Sequence, residues 1–183
     1  MNEGRFEIRL AGEGGQGLVL AGIVLAEAAI YDGKNTTYTQ SYGPEARGGA
    51  SRSEVIIAGG DIDYPRVTQA DLLLCMSQES CDKYFYDVKK EGVLIVDARH
   101  VSRVPTSKAY QVDITSMAME VTGRDITANV VALGLIVGLT GIVSRQAIEA
   151  AVAAHVPRGT EELNTKALAA GLEEAERLKS QRE

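Results

Sequence analysis

Hydrophobic and polar positions along this chain follow two periods in turn, and the switch between them marks out the elements. Phe6-Glu7-Ile8-Arg9-Leu10-Ala11 alternates weakly and stops at Gly12, which predicts a first strand in a central position. Leu18 to Tyr31 is rich in Ala and Leu and predicts a largely buried helix, ended by Asp32-Gly33-Lys34-Asn35 with Gly33 at C′. Thr36-Thr37-Tyr38-Thr39-Gln40 is β-branched and aromatic, a second strand, and Ser53 to Ala58 is a third, closed by Gly59-Gly60. Leu72 to Met76 is apolar without interruption, the mark of a strand covered on both faces. Ser77 is suited to cap a helix running from Gln78 to Lys90. Val93 to Val96, ending at Asp97, is a further buried strand, and Tyr110-Gln111-Val112 is a short last one.

After Asp113 the period becomes helical throughout. Ile114 to Val121, Thr127 to Thr140, Ser144 to His155 and Thr160 to Lys179 read as helices, with Ser144 and Thr160 as N-caps. The segment around Val130 to Gly138 has almost no polar face and is expected to be buried; Gly134 and Gly138, four apart, permit close helix approach. Strands that alternate with helices, followed by helices alone, predict an α/β fold: a Rossmann-like three-layer domain with a mostly parallel sheet and a helical C-terminal third. Residues 1–183 are expected to form one domain, with a charged, solvated tail from about Glu173 to Glu183.

Composition narrows the class. The 183 residues are 45% hydrophobic and 24% charged, with a formal net charge of −6, which suits a globular domain and disfavours binding to nucleic acid or an anionic membrane. No apolar run reaches the roughly 20 residues a bilayer demands, and the charged stretch Met1 to Arg9 carries no signal-peptide core, so a cytoplasmic location is expected. Cys75 and Cys81 fit no zinc or redox motif and are too few for a four-cysteine iron–sulfur cluster; His100 and His155 lie far apart, so no metal set is visible.

The candidate chemistry sits in two glycine-rich loops. Gly12-Glu13-Gly14-Gly15-Gln16-Gly17 has the spacing G-x-G-x-x-G between a strand and a helix. Gly12 is expected to make the tight turn, Gly14 to let backbone approach a ligand, and Gly17 to let the helix pack on the strand, with the helix N-terminus facing a phosphate or carboxylate. A dinucleotide enzyme also needs an acid at the end of strand two. That strand ends in Gln40-Ser41-Tyr42, and Asp32 precedes it, at the wrong end of the sheet, which argues against NAD. On this motif alone, a βα turn that binds nothing stands level with a ligand site. The second loop, Ser41-Tyr42-Gly43-Pro44-Glu45-Ala46-Arg47-Gly48-Gly49, offers the Arg47 guanidinium for phosphate or carboxylate, with Glu45 to orient it. A Glu45–Arg47 ion pair that merely stiffens the loop is the competing reading. In a parallel sheet both loops emerge at the edge where ligands bind.

Taken together, these stretches, with Ser53-Glu54-Val55, Asp63-Tyr64-Pro65, Ala70-Asp71, Asn129 through Gly134, and Asn164 with Gly171, resemble the gamma subunits of 2-oxoacid:ferredoxin oxidoreductases over nearly the whole chain, and most closely the 2-oxoglutarate type. The resemblance implies a subunit of a hetero-oligomer that forms acyl-CoA and reduces ferredoxin. Thiamine diphosphate, Mg and iron–sulfur clusters are then expected on partner subunits, namely thiamine-diphosphate-binding and ferredoxin-like chains. This chain has no Gly-Asp-Gly motif for Mg-diphosphate. The resemblance also associates the domain with coenzyme A. Gly12, Gly14, Gly15, Gln16 and Gly17 would lie along its diphosphate or pantetheine path, Glu45 and Arg47 would border it, and Asn129 would hydrogen-bond a pantetheine amide or, equally, the helix N-terminus in the core. No catalytic residue is assigned. Asn164 is expected to be structural, Asp97 a turn or cap residue, and His100 a surface residue. A stand-alone Rossmann-like nucleotide binder and a purely architectural subunit are the alternative readings.

Overall fold

The structure, a computed structural model, describes residues 4–43 and 50–181. Six strands form one sheet: β1 (Phe6–Glu13), β2 (Asn35–Tyr42), β3 (Ala50–Ala58), β4 (Ala70–Cys75), β5 (Val88–Asp97) and β6 (Tyr110–Val112), in the order β2-β3-β1-β4-β5-β6. β1, β4, β5 and β6 run parallel. β3 is antiparallel to both β1 and β2, so β2 points the same way as β1 and only β3 is reversed. The mostly parallel sheet is therefore present, with a reversed strand slotted between the two whose ends carry the glycine loops.

Alternate side chains divide the core. Ile8, Leu10, Val55, Ile57, Leu72, Leu74 and Ile95 face a layer of five helices: α1 (Leu18–Tyr31), α3 (Ile114–Thr122), α4 (Ala128–Thr140), α5 (Arg145–His155) and α6 (Glu161–Ser180). Leu73, Cys75, Leu94 and Val96 point the other way, under α2 (Gln78–Tyr84) and the segment holding Val101 and Ala109. The three layers expected from the sequence are thus unequal, one of them carrying most of the helix.

Within the helical layer, glycines set the distances. A Cβ on Gly134 would stand 2.4 Å from the Leu168 carbonyl oxygen, and one on Gly171 would stand 2.0 Å from that of Val131, so α4 and α6 touch backbone to backbone. Every residue of α4 from Ala128 to Val137 is buried, as its lack of a polar face implied. The close approach expected of Gly134 and Gly138 is therefore real, and its partner is α6.

Local chemistry terminates the helices as read, with two corrections. Ser77 and Ser80 form a reciprocal capping box, and the Ser144 hydroxyl accepts from the Ala147 amide. Thr160, expected to cap α6, instead donates to the Pro157 carbonyl at 2.7 Å and accepts from the Asn164 side chain at 3.1 Å. Asn164 also donates to the Thr160 carbonyl, the structural part expected of it. The helix expected from Gln78 to Lys90 ends at Tyr84. After a single 3₁₀ turn, Val88 to Glu91 belong to β5. The ladder shifts register between Ala70 and Leu72, and Gly92 makes the kink possible: a Cβ there would lie 2.7 Å from Val88 and 3.0 Å from the Ala70 carbonyl.

Candidate functional site

β1 and β4 are adjacent and parallel, and the chain leaves both toward helices, β1 into α1 and β4 into α2. A crevice at the carboxyl ends of such strands is where open α/β sheets hold ligands. A cavity of about 220 Å³ opens there. Gly15 and Gln16 of the first loop line it, with Met76 after β4, His100 after β5, Thr115 from α3 and Ile126 from the 3₁₀ turn before α4. A wider, shallower depression of about 590 Å³, bordered by Asp82, Tyr86, Arg103 and Pro105, belongs to the α2 layer rather than to the strand ends.

The first loop is shaped by its own side chain. β1 runs on through Gly12 to Glu13, so Gly12 is part of the strand and the turn falls on the residues after it, contrary to the role expected from the motif. A Cβ at Gly12 would stand 2.2 Å from Gln16 Oε1 and 2.9 Å from the Met76 Cβ. Its absence lets the Gln16 side chain fold back under the loop. There Gln16 Oε1 accepts from the Glu13 amide at 2.7 Å, and Nε2 donates to the Met76 carbonyl at 2.9 Å. One amide side chain thereby ties the β1 loop to the end of β4. Gly14 and Gly15 are exposed at the tip; Gly15 has φ +97°, and the space beside its Cα is open.

Gly17 differs again from expectation. It sits at φ +73°, immediately before α1, and packs against α4 rather than a strand: a Cβ there would fall 2.4 Å from Asn129 Nδ2. Asn129, 4% exposed, donates from that nitrogen to the Gly17 carbonyl at 3.2 Å. Of the residues singled out from the sequence, Gly15 and Gln16 line the cavity, while Gly12, Gly17 and Asn129 are not on its lining and instead shape the loop and tie it to α4. Glu45 and Arg47 lie outside the described residues.

The cavity's far wall is a part of the site that no linear motif signals. Asp97, fully buried at the end of β5, accepts from the Arg99 amide at 3.3 Å and from the Thr115 hydroxyl. It acts as the turn residue expected, but it also stands 3.9 Å from His100 Nε2. His100, expected on the surface, has a side chain 43% exposed and is one of the residues lining the cavity. Thr115 and Ile126 arrive from segments more than a dozen residues further on, so only the tertiary fold brings them here. The sequence signals only Asp97, which closes a buried strand where the chain must turn. Asp32, the acid at dinucleotide spacing, lies at the C-terminus of α1. Its carboxylate accepts from the Ser144 amide at 2.6 Å and hydroxyl at 2.7 Å, so it is engaged with the start of α5.

Fold and crevice together define an α/β domain with a ligand-sized crevice at the carboxyl ends of its parallel strands. The chain belongs to the pyruvate ferredoxin/flavodoxin oxidoreductase family, which it matches over residues 7–174. It is 48% identical to the 2-oxoglutarate synthase subunit KorC of Methanocaldococcus jannaschii, over 95% of this chain and 96% of that protein. The solved gamma subunit of a keto/oxoacid ferredoxin oxidoreductase from Geobacter sulfurreducens PCA is 51% identical, with a TM-score of 0.84 over 94% of this chain and 99% of that one. The fold also recurs, at 20% identity and a TM-score of 0.86, in 32% of a chain of the 2-oxoglutarate:ferredoxin oxidoreductase from Magnetococcus marinus, a structure with 2-oxoglutarate, coenzyme A and succinyl-CoA bound. Among the described residues, no single helix is long and apolar enough to cross a membrane.

Proposed function

We propose that this chain is the gamma subunit of a 2-oxoglutarate:ferredoxin oxidoreductase and contributes part of its CoA-binding region. The observation that carries the reading is the 48% identity to a 2-oxoglutarate synthase subunit across almost the full length of both chains. Thiamine diphosphate, Mg and the iron–sulfur clusters belong on partner chains, and ferredoxin is met through the complex. No group of three or more His, Cys, Asp or Glu suited to a metal ion occurs among the described residues, and Cys75 and Cys81 are both buried in the core. The complex works in the cytoplasm.

The crevice fits a portion of CoA. At about 220 Å³ it falls below the 300–1,000 Å³ typical of a site enclosing a whole cofactor, so partner chains complete it. Exposed Gly14 and Gly15 let main chain meet a phosphate without side-chain obstruction, and Ile126, 53% exposed, offers an apolar wall to the pantetheine arm. Gln16 holds the loop in place from both ends of its amide. Gly12 leaves room for the Gln16 side chain, Gly17 and Asn129 tie the loop to α4, and Glu45 and Arg47, which follow β2 in the sequence, are assigned to the border of the CoA path by the family resemblance alone. CoA, when bound, supplies the thiol that accepts the acyl group; this chain positions and shields it.

Purification from the native cell without oxygen tests the reading. Larger chains carrying thiamine diphosphate and iron should travel with this one and reduce ferredoxin only when both 2-oxoglutarate and CoA are present. A lone, colourless chain would overturn it. The CoA assignment is tested separately by Ile126→Glu, which places a carboxylate at the mouth of the crevice and should raise the apparent KM for CoA while leaving that for 2-oxoglutarate unchanged.

A further inference from the structure

We infer that His100 is a phosphate-contacting residue of this crevice and sets its preference for the phosphorylated end of CoA. The inference rests on the CoA reading above and assigns a role that the glycine motif does not contain. Three observations carry it.

Among the described residues, His100 is the only basic side chain on the lining of the cavity, which it shares with the exposed Gly15 of the first loop. An imidazole always carries at least one N–H donor, and a hydrogen bond to a charged phosphate is among the stronger kinds. The imidazole is also held. Fully buried Asp97 lies 3.9 Å from Nε2, beyond hydrogen-bond reach, and is itself fixed by the Thr115 hydroxyl and the Arg99 amide. A carboxylate so anchored gives the ring a fixed neighbour and leaves Nε2 free to donate elsewhere. Finally, the lining is divided by charge. Asp125, from the same 3₁₀ turn as Ile126, is exposed on the lining and repels phosphate, whereas Asp97 is fully buried and not on the lining; Met76, Ile126 and Ala128 are apolar. The phosphate-bearing end of a ligand therefore belongs with Gly15 and His100, and the uncharged arm with Ile126.

The test uses the intact complex. Calorimetry with CoA in the absence of oxoacid gives binding apart from turnover, and pantetheine, which has no phosphate, is measured by its inhibition constant against CoA. His100→Ala should weaken CoA binding about tenfold to a hundredfold, the range for losing a hydrogen bond to a charged group, and leave pantetheine unchanged. His100→Lys should restore most of the CoA affinity. Asp97→Asn should weaken CoA in the same selective way alone, and add nothing in the His100→Ala background, as expected of a residue that positions the ring. The imidazole is partly exposed, so His100→Ala leaves the core intact. Dephospho-CoA then assigns the contact: a retained effect places it on the diphosphate, a lost one on the 3′-phosphate. Equal loss for CoA and pantetheine would overturn the inference. So would wild-type CoA affinity in His100→Ala alongside a weakened Ile126→Glu, a result that leaves the CoA reading standing. Wild-type affinity in both variants removes CoA from the crevice altogether.

Discussion

The Asn129 side chain donates to the carbonyl of Gly17, 112 positions earlier in the chain, and the same nitrogen occupies the space where a Gly17 Cβ would go. The loop before α1 is thus locked to the first turn of α4 by two residues that need each other. Asn129→Ala removes a buried hydrogen bond and should lower stability by about 1–3 kcal/mol. Gly17→Ala adds left-handed strain of about 1–2 kcal/mol to a clash at 2.4 Å. In the Asn129→Ala background the clash disappears, so Gly17→Ala should cost less there, with a coupling of at least about 0.5 kcal/mol. Urea unfolding of the two single variants and the double variant measures it. Strict additivity would show that the two residues are not in contact.

The same pair marks how far the sequence is legible. Element existence was plain wherever one face had to be apolar: β1, β4 and the all-buried α4 follow from hydrophobic pattern, and Ser77 and Ser144 cap as their chemistry dictates. The end of α2 was not legible, because Val88-Lys89-Lys90-Glu91 carries no period that separates strand from helix; pairing with β4 decides it. The reversed β3 was hidden for a similar reason, since a strand's direction is a property of its neighbours. In the site, the glycine spacing identified the loop but misassigned its members. What Gly12 and Gly17 leave room for, Gln16 and Asn129, is fixed by folding and not by motif. The His100, Thr115 and Ile126 wall is assembled wholly by tertiary contact and left no linear trace.

The α4–α6 contact gives a second prediction. A Cβ on Gly171 would meet backbone 2.0 Å away, where no rotamer can yield, so Gly171→Ala must push the helices apart. Overpacking of this kind costs about 1–3 kcal/mol, and the folded yield should fall visibly. Gly138 faces a side chain instead, with its Cβ position 2.4 Å from that of Ala175. Gly138→Ala should therefore be rescued by Ala175→Gly, whereas no single side-chain truncation rescues Gly171→Ala. Thermal unfolding of the four variants separates the two cases.

On the other face of the sheet, Arg9 is 4% exposed and joins Glu54, 7% exposed, at 2.8 Å, with Asp87 on its other arm and the Tyr84 ring 5.0 Å beneath its guanidinium. Arg9→Met leaves the buried Glu54 carboxylate without its principal cation and should cost about 3–5 kcal/mol. Arg52 then meets Glu54 only at 3.6 Å, so adding Glu54→Gln removes a poorly compensated charge and should recover a substantial part of the loss. If the double variant is no more stable than Arg9→Met, packing of the Arg9 stem, rather than charge, is what the site needs. Denaturant midpoints with unchanged m-values provide the measurement.

Asp32 carries a prediction about pH. Burial pushes its carboxyl up, but the hydroxyl and amide of Ser144, with Lys34 nearby, outweigh that and hold it below the usual aspartate value. A carboxyl whose value is lowered by folding stabilises the folded state when ionised. That contribution is complete above the unfolded value of about 3.9 and is lost as pH falls through the folded one. Asp32→Asn weakens the clamp between the end of α1 and the start of α5, a change of about 1 kcal/mol at neutral pH. The gap between wild type and Asp32→Asn should therefore be constant from pH 7 to about 5, and close as the solution becomes more acid than about 3.9. Urea unfolding across that range reads the gap directly. A gap that persists unchanged into strong acid would mean that the carboxylate charge contributes nothing and that the amide forms the same hydrogen bonds.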